Sequence, residues 1–296
     1  MTQRSTNSMR IAILAMMLCA VGCSNEPASP PGAPKTGESK QGDKAKPVSP
    51  SSSSTGSSSP TAKNAAPAVE GWGTLRGKFV FDGTPPTPAK LNITKDVAVC
   101  GKHNLIDESL LVDKSGGVQN VVVYVRSKGV KVHPDLVKSA NERVILDNKG
   151  CRFDPHVLVM QTGQPLTVKN SDPVGHNSNI QPIGDTAINP LLPAAGDYEQ
   201  KFTRAQTIPV PVTCNIHPWM TGYILPRDNP YAAVSNPDGS FEIKNLPAGE
   251  LEFQAWHEKA GYISIDTWDK GRFTQTIQPG DNDLGVKKLP ATLFSK

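Results

Sequence analysis

Short runs in which apolar and polar residues alternate dominate the chain from about residue 72, and they predict β-strands. Residues 74–81 alternate in this way, with one face formed by Leu75, Gly77, Phe79 and Phe81. Residues 118–125, VQNVVVYV, are rich enough in β-branched side chains to predict a central strand. Further apolar runs, separated by Gly, Pro and Asn, occupy residues 144–146, 157–160 and 166–168. This rhythm indicates an all-β fold of β-sandwich type, and only residues 135–142 predict a turn or two of helix.

The start of the chain has a different pattern, which predicts export. Arg4 and Arg10 precede an apolar stretch, residues 11–21, that is too short to cross a bilayer, so residues 1–22 are predicted to be a signal peptide. The junction before Cys23 resembles the lipoprotein processing box of bacteria, which implies lipidation of Cys23. Cleavage by an ordinary signal peptidase nearby, with Cys23 left free, is the alternative.

The resemblance to bacterial lipoproteins implies a location on the periplasmic or cell-surface side, with the lipid on Cys23 as the membrane anchor. Ser24 after the lipidated residue favours the outer membrane. Residues 23–69 are rich in Ser, Pro, Ala, Gly and Lys and have almost no large apolar side chain. Such a segment cannot bury enough surface to offset its ordering entropy, so it is predicted to be a disordered tether.

Charge excludes one class of partner. The formal net charge is +4, and the predicted signal peptide supplies two of the cations, Arg4 and Arg10. A dedicated nucleic-acid binder has a far more basic surface, so nucleic acid is not an expected partner. No stretch of eighteen apolar residues is present, so no membrane-spanning helix is predicted.

The candidate chemistry is concentrated in residues 208–225, IPVPVTCNIHPWMTGYIL. This stretch contains Cys214, His217 and Met220 close together. A thiolate, an imidazole and a thioether suit one copper ion, and blue-copper sites add a second imidazole. His176, in NSDPVGHNSN, is the best candidate for that second histidine.

The expected strands bring these residues to one pole of a sandwich. Residues 208–212 alternate apolar side chains with two prolines, which predicts a strand at a sheet edge or bulge. Cys214 then follows the end of that strand, and Gly222 opens the next one. His176 follows a strand that ends near Asn170, so it is expected to reach the same pole.

Residues 140–227 resemble a cupredoxin. The loop CNIHPWM is most similar to that of the amicyanin and pseudoazurin group, and FDPHVLVMQTGQPLTVKNSDPVGHN resembles the family's stretch up to the first copper histidine. The resemblance implies a Greek-key β-sandwich with one type 1 copper ion. It assigns the copper ligands to His176, Cys214, His217 and Met220. It also implies that Asn177 pins the ligand loop and donates to the cysteine sulfur.

The same resemblance implies how electrons enter and leave. The loop histidine, His217, is expected to expose one ring edge within an apolar patch that includes Pro218 and Trp219. A redox partner protein would dock there transiently, since small interfaces suit short-lived complexes. The implied function is single-electron transfer without catalysis. A copper oxidase or nitrite reductase needs further copper centres with His-x-His pairs, which this sequence lacks, so a stand-alone catalyst is not expected, and a role as the redox subunit of an enzyme system stays open. A copper-holding or cell-surface interaction protein remains an alternative.

A second sandwich is predicted from residues 235–256, SNPDGSFEIKNLPAGELEFQAW. Their turns and alternating strands resemble the carboxypeptidase regulatory-like family, which has a transthyretin-like fold. That family's usual opening strand resembles GTLRGKFVFDG, which lies before the copper segment. Residues 72–135 plus 229–296 are therefore predicted to form one sandwich, with residues 140–227 inserted. Two domains in simple succession are the alternative.

The cysteines are accounted for by this interpretation. Cys19 leaves with the signal peptide, Cys23 takes the lipid and Cys214 binds copper. Cys100 and Cys151 remain, and a leftover pair in an exported protein predicts a disulfide. Closing a loop of this length stabilises the fold by about 4 kcal/mol on the loop-entropy model.

A structural zinc site is the competing hypothesis for part of this set. Two Cys-x2-His pairs, Cys100 with His103 and Cys214 with His217, would supply Cys2His2 ligands. That arrangement leaves Cys151 unpaired and gives His176 and Met220 no role.

The other histidines are expected to have structural roles. His103, His133 and His156 are interpreted as exposed loop or strand residues. His257 is followed by Glu258, but adjacent residues of a strand point to opposite faces, so this pair is not expected to act together. A structural or interface role is predicted for it.

Overall fold

The computed structural model of the protein describes residues 70–295. The predicted signal peptide, the lipidation site Cys23 and the predicted tether up to residue 69 lie outside the described residues. Within residues 70–295, no helix is long and apolar enough to span a lipid bilayer.

The described chain is all-β. Its strands are, in chain order, β1 (Trp72–Asp82), β2 (Val122–Val125), β3 (Val144–Asn148), β4 (Phe153–Asp154), β5 (Val157–Gln161), β6 (Leu166–Asn170), β7 (His176–Asn177), β8 (Asn179–Ile180), β9 (Leu191–Leu192), β10 (Asp197–Gln200), β11 (Val210–Thr213), β12 (Thr221–Arg227), β13 (Ala232–Val234), β14 (Ser240–Pro247), β15 (Gly249–His257), β16 (Gly261–Tyr262), β17 (Arg272–Ile277) and β18 (Gly280–Pro290). The helices are short: α1 (Val97–Cys100), α2 (Pro134–Val137) and the 3-10 turns Lys138–Asn141 and Ala291–Phe294.

A first core lies between a three-stranded and a five-stranded sheet. The three-stranded sheet has the order β14-β1-β18, and the larger one has the order β13-β2-β15-β16 with β17 also on β15. The side chains between them include Leu75, Phe79, Val123, Phe241, Phe253 and Phe273. Leu75 and Phe79 are fully buried, and each such burial stabilises by about 1.5–3 kcal/mol.

The alternation predicted for residues 74–81 is confirmed by β1. Leu75, Phe79 and Phe81 point into the first core. Gly77 packs closely against the Phe241 ring, and a Cβ added at this position would lie only 2.7 Å from that ring. Only glycine fits there without a shift of the neighbouring side chain. The strand pairs antiparallel with β14 and parallel with β18.

A second core takes its residues from the middle of the chain. It lies between the sheet β10-β6-β3-β4 and the sheet β5-β12-β11-β8. Its buried side chains include Leu146, Phe153, Leu166, Val168, Ile180, Val212 and Ile224. The runs predicted as strands at residues 144–146, 157–160 and 166–168 are confirmed as parts of β3, β5 and β6.

A third buried cluster joins the two cores. It contains Val122, Tyr124, Val157, Leu225 and Trp256. In β2 the side chains of Val123 and Val125 face the first core, while Val122 and Tyr124 face this cluster. Both faces of β2 are covered, which explains its unbroken run of apolar residues. The strand is central between β13 and β15, as predicted, but it covers only Val122–Val125 of the predicted residues 118–125, because the chain turns at Asn120, which has a φ of 66°.

One detail differs from the sequence-based expectations. The strand with prolines, β11, is not an edge strand, because it pairs with β12 and with β8. However, β8 pairs only with Val212 and Thr213, so Pro211, which has no N–H, lies where the strand has one neighbour. The strands β14 and β15 belong to different sheets, so the turn between them crosses the first core.

Candidate metal centre

Three buried side chains with metal-binding atoms meet at one pole of the second core. They belong to His176, Cys214 and His217, and one ligand atom from each lies within 4.8 Å of the other two. The two histidines are 0% exposed and the cysteine 3%. The sequence predicted that these residues come together, and the structure places them together.

The sheet of the second core positions these residues. Cys214 directly follows β11, and β12 begins seven residues later, so the segment between them forms a loop at the strand ends. His176 begins β7, which pairs with β9 opposite Leu192. The chain before it is anchored by the Asn170 side chain, whose Nδ2 donates to the backbone oxygens of Val174 and Leu192 at 2.8 and 3.0 Å.

The loop after Cys214 is closed by its own backbone. The N–H of His217 donates to Cys214 Sγ at 3.4 Å. The N–H of Met220 donates to the His217 oxygen at 2.9 Å, and the N–H of Cys214 donates to the Met220 oxygen at 3.3 Å. Met220 is 1% exposed and packs in the same core cluster as Cys214. These main-chain hydrogen bonds therefore hold Met220 close to Cys214 and His217.

Asn177 pins this loop from the neighbouring strand. Its Oδ1 accepts from the N–H of Asn215 at 2.8 Å, and its Nδ2 donates to Asn215 Oδ1 at 3.1 Å. The expectation that Asn177 donates to the sulfur is wrong for its side chain. The Cys214 thiol donates to Asn177 Oδ1 at 3.5 Å, because the amide nitrogen is directed at Asn189 and Asn215.

In each of the two histidines, Nε2 lies beside a carboxylate. We call Nε2 the outer nitrogen and Nδ1 the inner nitrogen. His176 Nε2 lies 3.0 Å from Asp172 Oδ2, and His217 Nε2 lies 2.8 Å from Asp96 Oδ2. The inner nitrogens face the group: His217 Nδ1 is 3.7 Å from Cys214 Sγ. His176 Nδ1 is buried with no hydrogen-bond partner. Sequence reasoning missed both aspartates, since neither belongs to a recognisable motif.

The surroundings of His176 favour its neutral imidazole. Burial lowers the pKa of His176, and the neighbouring His217 lowers it further, against the opposing effect of the Asp172 carboxylate. A neutral imidazole is the form that binds a metal ion.

These donors fit a copper ion. A thiolate and two imidazoles form the equatorial set of a blue-copper site, with a thioether as the usual weak axial ligand. Bonds of about 2.0–2.3 Å from one ion to each of two atoms allow those atoms to lie about 3–4.5 Å apart, and the 3.7 Å separation of Cys214 Sγ and His217 Nδ1 is within that range. The unpartnered Nδ1 of His176 is a buried lone pair that such an ion would satisfy.

The expected exposed edge of His217 is wrong. Its side chain is fully buried, because Asp96, just before α1, lies against its outer nitrogen. Of the two residues predicted for a docking patch, Pro218 is exposed and Trp219 is partly buried. The Trp219 ring lies 5.1 Å from the His217 ring, and its Nε1 donates to the Cys151 oxygen at 3.1 Å.

Cys100 and Cys151 form a disulfide. The sulfur of Cys151 lies within 4.8 Å of ligand atoms of Asp172 and His176, so the bridge lies directly beside the candidate metal centre. The Cys2His2 zinc hypothesis is wrong in this structure, because Cys100 has no free thiolate and His103 is exposed.

Among the remaining histidines, His133 and His156 are less exposed than expected, whereas His103 is exposed as expected. His156 is buried, and its Nε2 lies 2.6 Å from Glu258 Oε1. His257 is buried as well and accepts through Nδ1 from the Lys259 N–H at 3.2 Å. His133 is partly buried, and its Nδ1 caps α2 by accepting from Asp135 N–H at 3.1 Å.

No family model and no curated protein matches the chain. Among solved structures, the chain is similar to a Cu-containing nitrite reductase from Thermus scotoductus SA-01, with 22% identity over 34% of this chain and 24% of that chain, and a TM-score of 0.26. It is similar to a mutant of amicyanin in its reduced Cu(I) form, with 20% identity over 36% of this chain and 98% of that chain, and a TM-score of 0.27. It is also similar to a purple cupredoxin from Nitrosopumilus maritimus, with 23% identity over 29% of this chain and 98% of that chain, and a TM-score of 0.24.

Proposed function

We propose that this protein is an exported, membrane-tethered type 1 copper protein that passes single electrons between redox partner proteins. One observation carries the proposal: the buried donor atoms of His176, Cys214 and His217 lie within 4.8 Å of one another. The copper ligands would be these three residues and Met220. A bound copper ion would supply one-electron chemistry, because it accepts one electron from a reduced donor and gives one to an oxidised acceptor.

The surrounding residues prepare the ligands for this role. Asp172 and Asp96 accept the Nε2 protons of His176 and His217, which leaves both Nδ1 atoms free. Cys214 Sγ must lose its proton to become a ligand, and that proton is directed at Asn177 Oδ1 in the structure. Burial among sheet residues limits ligand movement, which favours rapid electron transfer.

The tether and the second domain complete the proposal. We infer that residues 140–227 form a copper domain inserted into a transthyretin-like sandwich made of residues 72–135 plus 229–296. The separate first and second cores support this division. Lipidated Cys23 would anchor the whole to a membrane through the linker.

Copper holding without redox turnover is the second candidate. The complete burial of His217 favours it, because a partner has no direct contact with that ring. A redox assay of the copper-loaded protein separates the two functions.

The test begins with the visible absorption spectrum of the purified protein with Cu(II). An intense sulfur-to-copper band is expected, and it should vanish in Cys214→Ser but persist in the matched control His103→Ala, an exposed histidine. A small reductant should bleach the band and an oxidant should restore it. A wild-type protein without the band contradicts the copper assignment, and a band that does not respond to reductant leaves copper holding as the function.

A further inference from the structure

The outer nitrogen of His217 is bound by a residue from a distant part of the chain. Asp96 Oδ2 lies 2.8 Å from His217 Nε2, while His217 Nδ1 faces Cys214 Sγ at 3.7 Å. The side chain of His217 is 0% exposed and that of Asp96 is 42% exposed. The carboxylate therefore lies between the buried ring and the solvent.

The position of Asp96 is fixed by the segment that follows it. Its backbone oxygen accepts from the N–H groups of Val99 and Cys100, both at 2.8 Å, so Asp96 is the N-cap residue of the short helix α1. Its φ of 45° is an unusual backbone conformation for a residue with a side chain. We call residues 96–100 the covering segment.

The disulfide holds the covering segment on the centre. Cys100, at its end, is bonded to Cys151. The N–H of Cys151 donates to Asp172 Oδ2 at 2.8 Å, and the same oxygen lies 3.0 Å from His176 Nε2. Each cysteine of the bridge therefore donates its N–H to one of the two aspartates that contact the histidines: Cys100 to the Asp96 backbone oxygen and Cys151 to the Asp172 carboxylate.

We propose that Asp96 is a positioning residue of the copper centre. Its carboxylate accepts the Nε2 proton of His217, fixes the tautomer in which Nδ1 is free for the metal, and closes the site to solvent. This inference rests on the proposed copper site. A carboxylate on the far nitrogen raises the basicity of a metal-binding imidazole, and a more basic ligand stabilises Cu(II) more than Cu(I). Asp96 should therefore lower the reduction potential of the centre.

The test compares Asp96→Asn with Asp107→Asn. An asparagine at 96 keeps a hydrogen-bond acceptor for Nε2 but removes the charge. Asp107 is the control, because it is a partly buried carboxylate whose Oδ1 accepts from the Ser109 N–H. Asp96→Asn should keep the sulfur-to-copper band, lose about 10- to 100-fold in Cu(II) affinity and have a higher reduction potential. Asp107→Asn should match the wild type in all three.

A second measurement needs no copper. In nitrogen-15 NMR of the metal-free protein, His217 should be the Nε2–H tautomer, with a slowly exchanging proton, and exchange should be faster in Asp96→Ala. An Nδ1–H tautomer in the wild type overturns the proposal, as does an Asp96→Asn variant with wild-type affinity and potential. These outcomes differ from failure of the proposed function, in which the wild-type protein has no sulfur-to-copper band.

Discussion

His156 and Glu258 form a buried pair that joins the two sandwiches. His156 Nε2 lies 2.6 Å from Glu258 Oε1, and the side chains are 7% and 5% exposed. His156 precedes β5 at the second core, while Glu258 follows β15 at the first core. On the other side of the ring, Glu108 Oε2 is 3.7 Å from His156 Nδ1. A buried charge is tolerated when it is paired in this way.

This pair should make the stability of the protein depend on pH. Burial alone would lower the pKa of His156, but the hydrogen bond and charge of Glu258, with the charge of Glu108, raise it above 6.5. The folded protein therefore holds this proton more tightly than the unfolded chain. The resulting stabilisation is complete below pH 6.5 and is lost as the pH rises through the folded-state pKa.

Glu258→Gln tests that coupling. The free energy of unfolding at pH 6 should fall by about 3 kcal/mol, because one partner of a buried pair loses its charge. The decline of stability at higher pH should also flatten, as measured by denaturant unfolding from pH 6 to 8.5. The control Glu108→Gln should have the smaller effect, since Glu108 is farther from the ring. Equal pH slopes in Glu258→Gln and the wild type would exclude this role.

His257 should produce the opposite dependence in acid. Burial lowers the pKa of His257 to about 4. The unfolded chain takes up this proton near pH 6.5, so the contribution of His257 to stability is lost as the pH falls from about 6.5 to about 4. The loss should reach about 3 kcal/mol, at 1.36 kcal/mol for each pKa unit.

His257→Gln is the variant for this prediction, because glutamine has both a donor and an acceptor but does not titrate. The difference in unfolding free energy between pH 6.5 and pH 4 should shrink in this variant. His103→Gln, at an exposed histidine, should behave like the wild type. An unchanged difference in His257→Gln would show that another group causes the acid sensitivity.

Removal of the disulfide should loosen the covering segment as well as destabilise the fold. The bridge spans a sequence separation of 51, and the double variant Cys100→Ala, Cys151→Ala should lose about 4 kcal/mol of unfolding free energy. Cys214, which is 3% exposed, should then react faster with a thiol reagent in the metal-free protein. Peptide mass spectrometry measures that rate at Cys214 itself, and a rate equal to that of the wild type would mean that the cover does not depend on the bridge.

Loss of the Asn177 side chain should free the ligand loop. Asn177→Ala removes the acceptor for the Asn215 N–H, and losing that hydrogen bond should cost about 0.5–1.5 kcal/mol. Denaturant unfolding should record that loss, and a chelator should remove copper faster. Asn189→Ala is the control, since Asn189 contacts Asn177 but not the loop backbone. A larger effect in the control would indicate that Asn177 acts through Asn189 instead.

The sequence predicted the parts of the fold that follow from local pattern. The alternation around Leu75 and Phe79 predicted β1, and the run ending at Val125 predicted a central strand. It did not predict that β14 and β15 enter different sheets, because turn composition does not determine which neighbour a strand pairs with.

The residues of the candidate metal centre were also predictable from local sequence. Cys214, His217 and Met220 lie close in sequence, and His176 was placed by the strand before it. The contact of Asp96 with His217 joins segments 121 positions apart, and no periodicity or spacing records such a contact. The expectation of an exposed His217 came from the resemblance to cupredoxins, and that resemblance does not include the covering segment. His156 was misplaced for the same reason, since its partner Glu258 comes from outside residues 140–227.

The parallel pairing of β1 with β18 has a consequence for biosynthesis. Gly73 meets its parallel partner only when Gly280 has been made, whereas the buried residues of the second core end at Ile224. Contacts between segments so far apart in sequence form slowly. A strand edge that is still unpaired is prone to aggregate. During biosynthesis, the middle of the polypeptide should therefore reach its native form first, while the edge of β1 that pairs with β18 stays unpaired until that strand has been made.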